Sequence, residues 1–200
     1  MMWMSEETRR GGGMRLRRAF FCLLLTLSAS GCATAPRQAF DLAAAAGALP
    51  RAERGGPALV VREPTAAPPT SSARIVLRDV DGSVFILPES EWSAPLPRLL
   101  RDRMIEALQR AGVAAAAYGL AGTALSTEIR RFEIDVARNM AVVELSARLV
   151  DANTGASRVS QSFVAEAPAP DHTGAPAVMA LTEAAGQALA KLASWTRGKV

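Results

Sequence analysis

Reactive side chains are scarce in this 200-residue chain, which holds two cysteines and a single histidine. Both cysteines, Cys22 and Cys32, stand near its start. Nothing downstream offers a thiol for a disulfide, a metal cluster or a thiolate nucleophile. A domain without bridges must be held by its core. Aromatic residues make up only 5%. After Cys32 the large rings reduce to Phe40, Phe85, Phe132, Phe163, Trp92, Trp195 and Tyr118. Alanine supplies much of the 50% apolar fraction, so the core is modest. Long apolar runs are missing too. The stretch Ala19 to Leu27 cannot cross ~30 Å of hydrocarbon as a helix, which needs about 20 residues.

An excess of basic charge is only apparent. The pI is 9.8, which invites a nucleic-acid reading. Five of the 23 basic residues (Arg9, Arg10, Arg15, Arg17, Arg18) and two of the 19 acidic ones (Glu6, Glu7) precede Cys32, which leaves 18 basic and 17 acidic residues, a net of +1. Phosphate binding wants a concentrated basic stripe that displaces counterions, and here the signs are interspersed. Nucleic acid is excluded as an expected partner.

What is present at the start is a leader. Arg15, Arg17 and Arg18 precede the apolar stretch, and small residues follow in Leu27-Ser28-Ala29-Ser30-Gly31-Cys32. A charged n-region, a short h-region and small residues before a cut site define a secretory signal rather than a span. The run ending on cysteine resembles a bacterial lipobox, with Cys32 as the lipidated first residue; an ordinary signal peptide with an incidental cysteine is the plainer alternative. The reading divides the chain into a cleaved leader at 1–31, a lipidated N-terminus and flexible tether at 32–56, and a folded domain at 57–200. About two dozen extended residues would reach on the order of 80 Å, shortened by coil behaviour. Phe40-Asp41-Leu42 interrupts the tether as a short first strand. Met14 stands just before the arginines, so translation starting at Met1 or at Met14 stays open.

The domain reads as α+β. Ala58–Arg62 is a strand that stops before Pro64, and Pro64–Ser72 is a loop. Arg74–Arg78 and Ser83–Leu87 form a hairpin about Asp79-Val80-Asp81-Gly82. Ser93 is the expected N-cap of a helix ending at Gly112, with Pro95 and Pro97 in its first turn. Leu96, Leu99, Leu100, Met104, Ala107, Leu108 and Ala111 form its apolar stripe. Val113–Tyr118 is read as a strand. Leu125, Thr127 and Ile129 share one parity and Phe132, Ile134 and Val136 the other, so a bulge or bend is expected at Arg130-Arg131. Val143, Leu145, Ala147 and Leu149 alternate in the next strand, and a third runs from about Val159 to Ala165, completing a meander with one wet face. After a Pro-rich loop at Ala167–Pro176, a helix from Ala177 to Thr196 buries Leu181, Ala185, Ala188, Leu192 and Trp195. The expected architecture is an antiparallel or mixed sheet with two main helices on one face.

No catalytic constellation emerges. His172 sits in Pro170-Asp171-His172-Thr173-Gly174 without a Gly-x-Ser-x-Gly elbow or a positioned triad. Convergent metal ligands are lacking. The Asp79-x-Asp81-Gly82 piece lacks the later ligands of a calcium loop and reads as a turn. Glu133 and Asp135 fall on the polar side of their strand, where solvation explains them without acid–base work. No phosphate-cradling glycine loop exists. Trp92 is either a partner-docking aromatic or a hydrophobic staple at the start of the helix.

The order of elements resembles one known family. A lipobox cysteine is followed by Phe40-Asp41-Leu42, a Leu59-Val60-Val61 strand and Arg74-Ile75-Val76-Leu77-Arg78. Glu91-Trp92-Ser93-Ala94-Pro95-Leu96-Pro97 then opens a helix closed by Gly112. Glu128-Ile129-Arg130-Arg131-Phe132-Glu133 follows, then Leu149-Val150-Asp151 with Thr154-Gly155, and an Ala-rich helix ending in Trp195. Residues 32–200 resemble the ABC-type transport auxiliary lipoproteins, the PqiC-like accessory lipoproteins of MCE-type lipid transport systems. The Trp-x-x-Pro-Leu-Pro piece is the strongest match; Ala114–Ala117 and the long loop at 64–72 depart. The resemblance implies a non-enzymatic accessory domain with no catalytic residues and no cofactor. Its implied partners are an MCE-domain protein and ABC transporter components. It also implies a lipid anchor in the outer membrane facing the periplasm, since Ala33 rather than Asp follows Cys32. An envelope assembly lipoprotein, such as a cell-wall enzyme activator or a pilotin, would need the same parts, and an anchored hydrolase would rest on His172. A homo-oligomer, the lipid moved and its direction stay open.

Overall fold

The computed structural model describes residues 37–42, 59–119 and 121–200. The leader, Cys32 and the stretch 43–58 lie outside the described residues, as do the boundaries drawn at 31/32 and 56/57. In chain order the elements are β1 (Gln38–Phe40), β2 (Leu59–Val61), β3 (Thr65–Ala66), β4 (Arg74–Arg78), β5 (Val84–Trp92), α1 (Leu96–Arg110), β6 (Ala115–Ala116), β7 (Thr123–Asp135), β8 (Met140–Asp151), β9 (Ser157–Pro168) and α2 (Gly174–Arg197).

Strand β7 is the spine of a mixed sheet. Along one side it pairs antiparallel with β8, which pairs antiparallel with β9. Along the other it meets three short parallel strands in turn: β2 at Thr123–Leu125, β3 at Glu128–Ile129 and β4 at Glu133–Asp135. Beyond β4 lies antiparallel β5, edged by parallel β1; beyond β2 lies β6. The register of β7 shifts between Ile129 and Arg131, as the change of parity requires. One extra residue there lets Leu125 and Ile129 before it, and Phe132 and Ile134 after it, all enter the same core.

Both helices cover one face. The core joins Leu125, Phe132, Ile134, Val143, Leu145 and Leu149 of the sheet to Leu96, Leu100, Met104 and Leu108 of α1 and to Leu181, Leu189 and Leu192 of α2. Ala177, Ala184, Ala185 and Ala188 are buried along α2, so small side chains keep that helix close to the sheet. Buried methyl and methylene groups are worth about 0.8 kcal/mol each, which makes a core rich in alanine depend on number rather than on a few large rings.

Several local readings are corrected. Ser93 is not the cap of α1; Pro95 holds that position without a side-chain bond. The Leu96 N–H instead donates to Ser72 O at 3.1 Å, and Pro97 has no N–H to satisfy. The C-terminus follows expectation. Gly112 sits at φ 87°, its N–H bonds Gln109 O, and the Val113 N–H bonds Leu108 O at 2.9 Å, the double closure of a Schellman motif. Strand β5 runs five residues past Leu87 to Trp92, because β1 pairs with Ser90–Trp92, a partnership no local pattern reveals. The loop at 64–72 holds the two-residue β3, and the strand read at 113–118 shrinks to Ala115–Ala116. At the C-terminal end, β9 extends to Pro168 and α2 begins at Gly174.

Candidate functional site

Cys32, the residue expected to carry lipid, lies outside the described residues. Trp92, the other residue singled out, ends β5 and is 2% exposed. Its ring stands edge-on to Phe132, with centroids 5.8 Å apart and planes at 85°. Its backbone N–H donates to Ala73 O at 2.8 Å. A ring so enclosed offers nothing to a partner, so the docking reading of Trp92 gives way to a core role. Trp195 packs edge-on to Phe163 at 5.6 Å, as its place on the apolar stripe of α2 implies.

The face of the sheet away from the helices carries a ladder of ion pairs. Glu133 is 3% exposed and is not the solvated carboxylate its strand position suggests. Its cross-strand neighbours Val76 and Val142 are both buried. Arg78 grips it through two bonds, Nε to Oε1 at 2.8 Å and Nη2 to Oε2 at 2.9 Å, the bidentate geometry that guanidinium supplies. Arg131 Nε donates to the same Oε1 at 2.8 Å, and its Nη2 reaches Asp135 Oδ2 at 3.3 Å. Arg138 continues the row to Glu166 at 2.6 Å. Burial pushes the Glu133 carboxyl up, but the bonds and charges of Arg78 and Arg131 outweigh it and hold the group below its ordinary value. Every carboxylate in this row is committed to an arginine. The arrangement ties β4, β7 and β9 together.

The remaining candidates are turn chemistry. Asp79 Oδ1 accepts the Val80 N–H at 2.7 Å, and Asp81 Oδ1 accepts the Ser83 N–H at 2.8 Å, so these carboxylates close the β4–β5 turn. His172 lies in the loop before α2. Its Nε2 has no hydrogen-bond partner, and Asp171 beside it bonds Thr173 instead. Among the described residues no group of three or more His, Cys, Asp or Glu could hold a metal, and no helix is long and apolar enough to cross a membrane.

Two apolar surfaces escaped the sequence reading. At the β4–β5 hairpin Val80, Val84 and Phe85 are 79, 43 and 53% exposed; a valine between two turn aspartates was the available signal. Between α1, β2 and β6 lies an open cavity of about 420 Å³ lined by Leu59, Val113 and Ala114–Ala116 among others. Tyr118 lines it too, under the Arg101 guanidinium, 5.9 Å from the ring centre.

Comparison with known proteins gives the family. A search of curated proteins finds no match. Among solved structures, protein XCC0632 from Xanthomonas campestris, of the family DUF330, is 27% identical with a TM-score of 0.67, over 76% of this chain and 89% of that one. A second, an uncharacterized protein, is 18% identical at a TM-score of 0.64, over 80% of this chain and 99% of that one, and speaks for the fold alone. The model of one family matches residues 40–193, from the last residue of β1 into the final turns of α2. This chain belongs to the family of ABC-type transport auxiliary lipoprotein components.

Proposed function

We propose that the chain is a membrane-anchored accessory lipoprotein of an ABC/MCE-type lipid transport system, docking on the periplasmic transporter component and catalysing nothing itself. The observation that carries the proposal is the family match over residues 40–193 in a chain whose small-residue run ends on Cys32. Lipidation there supplies the anchor, and Ala33 directs it to the outer membrane. Several acyl chains on one residue make the attachment lasting, where a single chain binds with only about 10⁴ M⁻¹. With no positioned base, the domain acts by binding, and His172→Ala is expected to leave its action intact.

The test is affinity purification of the full chain from detergent-solubilised envelopes, read by mass spectrometry. The expected result is recovery of an MCE-domain protein together with ABC transporter components. Recovery of a cell-wall synthase in their place would assign the chain to envelope assembly, and recovery of no partner would overturn the transport role.

A further inference from the structure

We propose that the tip of the β4–β5 hairpin is a membrane-contact site, with Val80, Val84 and Phe85 resting on the surface of the bilayer that holds Cys32. The proposal rests on the lipidation of Cys32; its geometry comes from the hairpin and from β1.

Six large apolar side chains are exposed among the described residues, and three of them stand at this tip. Val84 and Phe85 point to opposite sides of β5, and Val80 projects from the turn, so the tip is apolar from both sides. Among the described residues no strand covers the edge of β5 away from β4 between Val84 and Glu89, because on that edge β1 pairs only with Ser90–Trp92. Exposed apolar side chains gathered in one place mark contact sites more than scattered ones do.

The position of β1 says what the contact is. It runs parallel to β5, with Gln38 opposite Ser90, so the N-terminal end of β1 faces the hairpin. Six residue steps separate Cys32 from Gln38. At no more than about 3.6 Å each, they keep Cys32 within about 20 Å of Gln38 by any path. Val84 lies closer than that to the same point: the seven steps of β5 from Val84 to Glu91 span only the four of β4 from Arg78 to Arg74, about 13 Å at a strand's rise. The hairpin tip thus lies within the reach of the anchor's leash. A tether of two dozen residues would let the domain hang clear of the bilayer, but β1 ties the chain down almost at once, with Leu42 fully buried just beyond it. A domain held so close must touch the membrane, and the tip is its apolar surface on the approaching side. Asp79 and Asp81 confine the contact to the headgroup layer, where apolar side chains and charges coexist.

The experiment uses the full lipoprotein, purified from membranes and reconstituted in phosphatidylethanolamine–phosphatidylglycerol vesicles containing a nitroxide-headgroup lipid. A fluorophore is placed through Val80→Cys or, as a control on α2, Met179→Cys. The expected result is several-fold stronger quenching at position 80 than at position 179, reduced by adding Phe85→Asp while the protein still co-sediments with vesicles. Equal quenching at the two positions, or none at position 80, overturns the proposal. So does shielding of position 80 only after a solubilised transporter is added, which would assign the tip to a protein partner. If the wild-type chain fails to co-sediment, the lipidation of Cys32 itself falls, a failure distinct from that of the hairpin.

Discussion

Glu133 shows how far a single residue can depart from its local pattern. Its alternation with Phe132 and Ile134 places it correctly on the face away from the helices, but its burial depends on Arg78, 55 positions away. That partner appears only once β4 lies beside β7. The interaction sets a pH dependence. Because the folded carboxyl titrates below its ordinary value of 4.5, its stabilising contribution is complete above about that pH and is lost as pH falls through the lower folded value. Glu133→Gln keeps the shape and removes the charge. With both arginines partly exposed and screened, it is expected to lower stability at pH 7 by about 1–2 kcal/mol. Urea unfolding of both proteins at a series of pH values should show the gap closing below pH 4.5; a gap unchanged down to pH 3 would refute the assignment. Trp92 carried two readings, an exposed docking aromatic and a staple at the helix start, and its burial rules out the first. A tryptophan beside Glu89 and Glu91 looks exposed, and only the extension of β5 turns it inward onto Phe132.

At the level of elements, periodicity carried most of the fold. The stripe of α1, the alternation of β8 and the change of parity in β7 were legible because each is a local consequence of which face meets the core. Short strands were not. The two residues of β3 and the last three of β5 are held by their neighbours β7 and β1, so no sequence window contains the reason for them. The start of α1 was misplaced because Ser72 O, from a distant loop, does the work a side-chain cap would do. Its end was legible because glycine adopts the left-handed conformation of the Schellman closure at the least cost. Gly112→Ala is accordingly expected to cost about 1 kcal/mol and to lower Tm by about 2–4 °C in a domain of this size. A Tm equal to wild type in thermal unfolding would mean that the closure contributes nothing.

For the molecule as a whole, the layered α+β architecture and the family were readable from the order of elements, whereas the pairing of β1 with the far end of β5 was not. The alanine, proline and glycine of residues 33–56 describe a long tether by composition, and Phe40-Asp41-Leu42 was its one visible interruption. In the structure that interruption is decisive: β1 joins the sheet, leaving only residues 33–37 between Cys32 and the fold. The reading depends throughout on the attachment at Cys32, and the N-terminal peptide of the protein purified from membranes tests it most directly. Its mass spectrum is expected to show a chain that begins at Cys32 and carries acyl groups, with Cys32→Ala abolishing palmitate incorporation. An unmodified N-terminus, or palmitate still entering the Cys32→Ala chain, would contradict the account.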